Sequence, residues 1–559
     1  MRKFLAGAPV TVAVVVTLAC GRADSSETAA APITLAVVNA RVWTGDSTKP
    51  WAEAVAIAGE RVATVGASAE IRARLPETAR VIDANGAMVT PGFIDSHVHF
   101  NDGGFALASV QLRDAKTRDE FIQRIAAFAK TLPKGTWIRN GDWDHSNWGG
   151  ELPARSWIDS VTPDNPVWIN RLDGHMKLAN SAAIAAAKVD RRTEDVVGGT
   201  IVRSTSGEPT GIFKDNAQSL IDAVQPSRSE AEWDRALDTA MTHVAARGVT
   251  TVHHMGGWDD LAAFRRANSA GKLRTRIVAQ VPLSDWARLR DEVLKHGRGD
   301  DWLRIGGLKG FVDGSLGSHT AAMLSPFSDS PKDSGFFVTP PDSLYAWTKA
   351  ADAAGLQVMV HAIGDRAIRA QLDVFERVAK ENGPRDRRFR IEHAQHISPA
   401  DITRFGTLGV VASMQPYHAI DDGRWAGKVI GAERSKGAYA WRSLLDAKAT
   451  LAFGSDWFVA PPTPLEGIYA AVTRRTFDGK TPNGWVPEQR ITVEDALRAY
   501  TRGSAYAGFQ DGQLGVLRVG MLADLVMIDR DLTKIAPATI GEARVMLTVV
   551  GGRVMFDRR

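Results

Sequence analysis

The chain has 559 residues, too many for one ordinary domain but within reach of a large barrel with a smaller companion. Apolar residues make up 44% and charged residues 24%, the balance of a globular protein with ample core, which excludes a disordered or fibrous chain. The net charge is only +4 and basic residues are interspersed with acids, so no nucleic-acid partner is expected.

Residues 1–20 read as an export signal. Arg2 and Lys3 form a basic start, Val10 to Leu18 a short apolar run, and Thr17-Leu18-Ala19-Cys20 a cleavage junction. The run is too short to span a bilayer, and no later one reaches about 18 residues. Cys20 is the sole cysteine, so it has no partner for an internal disulfide. Its place after Leu-Ala resembles a bacterial lipoprotein signal, in which the cysteine becomes a lipidated N-terminus. Thr17 departs from the usual aliphatic residue there, which keeps plain secretion as the alternative. Residues 21–32, rich in Ala, Ser, Thr and acids, read as a flexible tether. The expectation is a periplasmic protein that touches a membrane only through a lipid anchor at Cys20.

From 33 to 90 the pattern is short and β-like, with Ile33-Thr-Leu-Ala-Val-Val, Ala54-Val-Ala-Ile, Arg61-Val-Ala-Thr-Val and Arg80-Val-Ile-Asp punctuated by glycines. Residues 515–559 repeat the style, in Asp524-Leu-Val-Met-Ile-Asp and Val545-Met-Leu-Thr-Val-Val. Both chain ends are therefore expected to build one composite β-sandwich domain, since termini commonly lie close together. Between them, 91–514 alternates apolar runs with helical stretches such as Glu230 to Arg247 and Ala367 to Glu381. The runs begin at Phe93, Val249, Arg276, Gly307, Gln357, Phe389, Val410 and Leu451. Eight strands joined by helices predict an α/β fold, a (β/α)8 TIM barrel, whose catalytic groups sit at the C-terminal strand ends.

The first strand carries the clearest chemical signal. In Pro91-Gly-Phe-Ile-Asp-Ser-His-Val-His99 the two histidines are one residue apart, so on a strand they share a face about 6.6 Å apart and can grip one cation. Phe93 and Asp95 share that face, and Asp95 is placed to steady a histidine from behind. After this strand comes an insertion at about 101–225 with Trp137, Trp143, Trp148, Trp157 and Trp168. A long insertion there is expected to form a lid or pocket wall, and its tryptophans suggest an apolar or aromatic substrate group. The competing expectation is that the tryptophans give the insertion its own core.

The other strand ends supply more donors. Lys309 lies on the fourth strand, His361 ends the fifth, His393 the sixth and Asp456 the eighth. Singly, such a histidine is a hydrogen-bonded core residue and such an aspartate a helix cap. Together, four histidines, a carboxylate and a lysine form a set that divalent metals favouring nitrogen and oxygen bind. His175 in the insertion is a candidate for a hydrogen bond to a substrate carbonyl or its oxyanion, and His253 and His254 are weaker candidates to face the mouth.

Through Thr90-Pro-Gly-Phe-Ile-Asp-Ser-His-Val-His, Leu308-Lys-Gly-Phe-Val-Asp-Gly-Ser-Leu-Gly-Ser, His361-Ala-Ile-Gly-Asp, Ile391-Glu-His-Ala-Gln, Gly454-Ser-Asp and Gly520-Met-Leu-Ala-Asp-Leu-Val, the chain resembles the amidohydrolase superfamily. Within it, the chain is similar to the N-substituted formamide deformylase branch, over about residues 33 to 559. The resemblance implies two divalent metal ions, zinc by expectation. It implies that His97 and His99 bind the more buried ion, that Lys309 is carboxylated and bridges both, that His361 and His393 hold the second, and that Asp456 ligates and shuttles protons. A free lysine is a cation that would repel metal, whereas its carbamate is an anion with two oxygens. His319 stands where the branch usually has arginine, which unsettles any substrate contact carried over to it.

The expected reaction is hydrolysis of a small-molecule amide, an N-substituted formamide or N-acyl amide. Asp456 would take a proton from the attacking water and deliver it to the departing nitrogen. A deaminase, a lactonase or esterase, and a surface-anchored binding protein without activity are the alternatives, because fold alone does not name the bond. A homodimer is the assembly kept as an expectation.

Overall fold

The computed structural model describes residues 31–559. The export signal, Cys20 and most of the tether lie outside the described residues. Eight parallel strands form the centre: β1 (Phe93–Val98), β2 (Val249–Met255), β3 (Arg276–Pro282), β4 (Leu303–Phe311), β5 (Gln357–Ala362), β6 (Arg390–His393), β7 (Val411–Met414) and β8 (Leu451–Phe453). Each pairs with the next, and a bridge from Val98 to Trp457 brings the end of the sheet back to β1. These are the eight runs read from the alternation. All their residues but a few at the ends are buried, as strands covered on both faces must be, which is why they read as continuous apolar runs.

The helices outside the barrel are amphipathic by design of spacing. The helix Asp365–Asn382 buries Ala367, Ile368, Gln371, Leu372, Phe375 and Val378, a stripe with steps of one and three residues. Phe375 stacks on Phe389 with ring centroids 4.3 Å apart. The helix Glu230–Ala245 starts at a reciprocal cap, in which Ser229 accepts from the Glu232 amide and Glu232 accepts from the Ser229 amide. Among the described residues, no helix is long and apolar enough to cross a membrane.

Both chain ends meet in a two-sheet sandwich. Met88–Pro91 pairs antiparallel with Leu525–Ile528 inside a six-stranded sheet, so the polypeptide before the barrel is sutured to the polypeptide after it. A four-stranded sheet containing Leu35–Val38 and Ala54–Ala58 packs against it through Val37, Val55, Ile57, Val89, Leu525, Leu547 and Val549. A buried ion pair ties sandwich to barrel: Arg276 at the start of β3 donates from Nε and Nη2 to the two oxygens of Asp524, at 2.9 and 3.0 Å, with both side chains buried.

The insertion folds around a five-stranded sheet of its own, from Ile138–Arg139 to Pro209–Asp215. Its tryptophans point into its own packing. Trp143, Trp148 and Trp157 belong to one cluster with Phe121 and Ile169, and Trp137 and Trp168 to another with Phe213 and Ile221. None of the five lines the cavities at the barrel mouth. The expectation that they form an aromatic substrate wall is therefore overturned. A sheet with helices on it must fill a core before it can present a surface, and large aromatic rings are the cheapest filling.

Candidate metal centre

The strand ends bring the six donor residues together. His97 lies in β1 and His99 just beyond it, and the Nε2 atoms of both approach Asp456 Oδ1, at 3.3 and 3.4 Å. Lys309 Nζ, from β4, lies 3.3 Å from His97 Nε2. The His393 ring, at the end of β6, has its centroid 4.8 Å from that of His97 and 4.5 Å from that of His361. Ligand atoms of His97, His393 and Asp456 all fall within 4.8 Å of one another. Two of these residues are turned inward by unusual backbone: His393 has φ of 72° and Asp456 of 62°, a region that non-glycine residues enter at a cost of about 1–3 kcal/mol. Hydrogen bonds hold the turn at Asp456, whose amide donates to the His97 carbonyl at 2.7 Å.

Three of the four imidazoles are oriented by a hydrogen bond at one ring nitrogen. His97 Nδ1 lies 2.6 Å from Glu392 Oε2, His393 Nδ1 lies 2.8 Å from Gln415 Oε1, and His361 Nε2 lies 3.0 Å from the Gly314 carbonyl. All three partners are acceptors, so each of these nitrogens carries the proton and the other is left as a lone-pair donor. Burial opposes the charge on Glu392, but Arg390, the His97 ring and Lys309 hold its carboxyl down to about 2. Burial also works against charge on Asp456, yet His97, His99 and His393 keep it well below the usual carboxylate range. Burial depresses the Lys309 ammonium to about 8, against the attraction of Glu392 and Asp456.

This donor set suits a divalent cation. Imidazole nitrogens and carboxylate oxygens are what zinc and its neighbours take, and Asp456 Oδ1 is buried between two imidazole nitrogens with no hydrogen bond of its own. An ammonium on Lys309 would repel such a cation.

His175 comes down from the insertion to the same place. Its ring centroid is 4.9 Å from that of His361, and its Nδ1 is 2.7 Å from Asp215 Oδ1. Burial disfavours its charge, but Asp215, Asp173 and Asp313 raise its pKa above the ordinary value.

Two cavities open onto the centre and share Asp173, His175, His361, His393, Asp456 and Val459. The outer one has about 590 Å³ of space for the centres of water-sized groups and includes Phe311 and Phe458; the inner one has about 50 Å³ and includes Asp144, Arg171, Asp422 and Trp425.

With this geometry in view, comparison with known proteins decides the family. The sequence model of the amidohydrolase family matches residues 80–556. The chain belongs to the amidohydrolase family. It is 42% identical over 535 residues to the Arabidopsis thaliana protein LONG AFTER FAR-RED 3, covering 93% of this chain and 91% of that one. It is 29% identical over 546 residues to the N-substituted formamide deformylase of Arthrobacter pascens, covering 94% and 98%. Among solved structures, an uncharacterised metal-dependent hydrolase of Pyrococcus furiosus superposes with a TM-score of 0.71 at 30% identity, covering 89% of this chain and all of the other. This amidohydrolase is thus a metal-dependent hydrolase with a barrel-mouth centre.

Other residues singled out from sequence have different places. Asp95 does not steady a histidine ring. It accepts from Ser455 Oγ at 2.6 Å, Ser455 N at 2.8 Å and His97 N at 3.2 Å, and so braces the backbone on both sides of the centre, while Glu392 holds the ring. His253 is buried against Arg390 Nη1 at 3.0 Å, and His254 accepts from the Phe100 amide at 2.9 Å; neither lines a cavity at the mouth. His319 pairs with Asp329 at 3.0 Å and packs on Phe327, away from both cavities. The acceptors Glu392, Gln415 and Asp215 carry site functions that were not foreseen. Glu392 stood in the Ile391-Glu-His motif, one residue before a ligand, whereas Asp215 had no local signal.

Proposed function

We propose that this amidohydrolase cleaves a non-peptide carbon–nitrogen bond, in an N-substituted formamide or N-acyl amide whose apolar arm packs against Phe311, Phe458 and Val459. Two divalent ions, zinc by the chemistry of the donors, would be held by His97, His99, Lys309, His361, His393 and Asp456. The observation that carries this reading is the buried Lys309 amine 3.3 Å from His97 Nε2. Its nitrogen lone pair bonds to the carbon of carbon dioxide with release of one proton, giving a carbamate able to bridge two cations.

Bound divalent ions supply Lewis acidity, lowering the pKa of water from about 15.7 towards about 7 and polarising a carbonyl. The chain's own groups do the rest. Asp456 takes the proton of the attacking water and returns it to the departing nitrogen, which makes an amine a tolerable leaving group. His175, held by Asp215 through its Nδ1, is placed to donate from Nε2, when protonated, to the carbonyl oxygen as negative charge grows there. The deformylase named among the relatives supports the bond type. Export and lipidation at Cys20 are proposed on residues 1–20 alone.

The test is a screen of metal-loaded protein against N-formyl, N-acyl and cyclic amides, with lactones and phosphotriesters as controls. Metal-dependent release of amine from the open-chain amides is expected. Turnover confined to lactones or phosphotriesters would overturn the proposal.

A further inference from the structure

The inner cavity has its own charge pattern. Four carboxylates line it besides Asp456: Asp144, Asp173, Asp421 and Asp422. Three of them have cationic partners. Arg171 pairs with Asp173 at 2.6 Å and with Asp144 at 3.5 Å, and Arg424 pairs with Asp421 and, at 3.6 Å, with Asp144. Asp422 has none: among the described residues no lysine, arginine or histidine nitrogen lies within ion-pair distance of it. Its Oδ2 accepts from the Tyr439 hydroxyl and from Gln395 Nε2, both at 2.5 Å, and its Oδ1 has no hydrogen bond. Two neutral donors fix the carboxylate in place, and Arg171 and Arg424 act on it only from beyond ion-pair distance.

A second acceptor nearby is also free. His418 lines the same cavity, its Nε2 is shielded from solvent and makes no hydrogen bond, and burial lowers the pKa of the ring. An unmatched carboxylate inside a protein is costly until a cation reaches it, and an imidazole nitrogen without a partner is similarly unsatisfied. The space is small. At about 10–15 Å³ for each water-sized centre, the 50 Å³ of the inner cavity takes a head of only a few heavy atoms.

We propose that the inner cavity is a specificity subsite for a compact nitrogen cation, an amidinium or guanidinium group on the substrate, with Asp422 as its counter-charge and His418 as a second acceptor. This deepens the amide-hydrolase reading and rests on it for the identity of the molecule that carries the cation. The substrate would then have two unlike arms, an apolar one in the outer cavity and a cationic one in the inner. Burial pushes the Asp422 carboxyl up to about 7, with Asp421 adding to the rise and Tyr439, Arg171 and Arg424 lowering it.

The experiment is titration calorimetry on metal-loaded protein at pH 8 with n-butylguanidinium and its neutral counterpart n-butylurea. The wild type should bind the cation at least tenfold more tightly than the urea. In Asp422→Asn the cation should lose at least tenfold in affinity, with the urea unchanged within twofold. Equal binding of the two probes by the wild type, or an undiminished preference in a folded Asp422→Asn, would overturn the subsite. Should that variant not fold, the wild-type pair decides alone. Binding needs no turnover: open-chain amides hydrolysed without any preference for the cation sink only the subsite, and Asp422-dependent cation binding without amide hydrolysis sinks only the amide-hydrolase reading.

Discussion

Glu392 holds His97 across 2.6 Å, and Arg390 in turn donates to Glu392 from Nε at 2.8 Å, all three side chains being shut away from solvent. The chain of contacts fixes which nitrogen of His97 faces the centre and raises its basicity as a ligand. Glu392→Gln should therefore weaken metal binding by about 10–100-fold, the usual effect of losing such a partner. Competition with a chelator would measure it, and an unchanged affinity would show that the ring is held by packing alone.

The barrel and the sandwich are joined by Arg276 and Asp524, and Asp524 Oδ1 also accepts from the Gly551 amide at 2.8 Å. Asp524→Ala leaves a buried guanidinium without its partner and an amide without an acceptor. A loss of about 3–5 kcal/mol is expected, read as a lowered unfolding midpoint in denaturant. Asp524→Asn, which keeps one carbonyl acceptor, should lose less. Equal midpoints for wild type and Asp524→Ala would mean that the sheet pairing, not this ion pair, fastens the two units.

The strands and the placement of the six candidate donors were legible because the barrel imposes a rule: a polar residue that closes an apolar run ends up at the mouth. His361, His393 and Asp456 each close such a run, and His97 and His99 alternate on one. The supports were less legible. Glu392 looks like any strand residue until its neighbour across the barrel is known. Asp215 reaches His175 over 40 residues of chain, through two strands of the insertion. The tryptophans misled because aromatic density reports burial but not direction: Trp143 gives its indole proton to the Ile169 carbonyl inside the insertion. Asp422 carried no sign at all, since its meaning lies in which partners it lacks.

The unmatched Asp422 should also be visible in stability. Its carboxyl, raised by burial to about 7, binds a proton in the folded chain at pH values where the unfolded chain has released it. Between the ordinary aspartate value near 4 and about 7, the folded state holds more protons, so this group makes stability fall as pH rises. Asp422→Asn should flatten that slope and, without ligand, unfold at higher denaturant than wild type at pH 8, by roughly 1–3 kcal/mol. A variant no more stable than wild type at pH 8 would mean that Tyr439 and Gln395 already compensate the charge.

Asp456 is given two tasks, as ligand and as proton carrier, and Asp456→Asn separates them. The amide oxygen remains a donor in the same position, so most of the metal should stay, while the side chain can no longer take up the water's proton. With a general base worth about 10²–10⁴ in rate, turnover should fall by at least that range. Metal analysis beside single-turnover kinetics on one preparation tells the outcomes apart. Retained metal with lost turnover is the expected result. Full activity would remove Asp456 from proton transfer, and loss of both would show that its buried Oδ1, between His97 and His99, is chiefly a ligand.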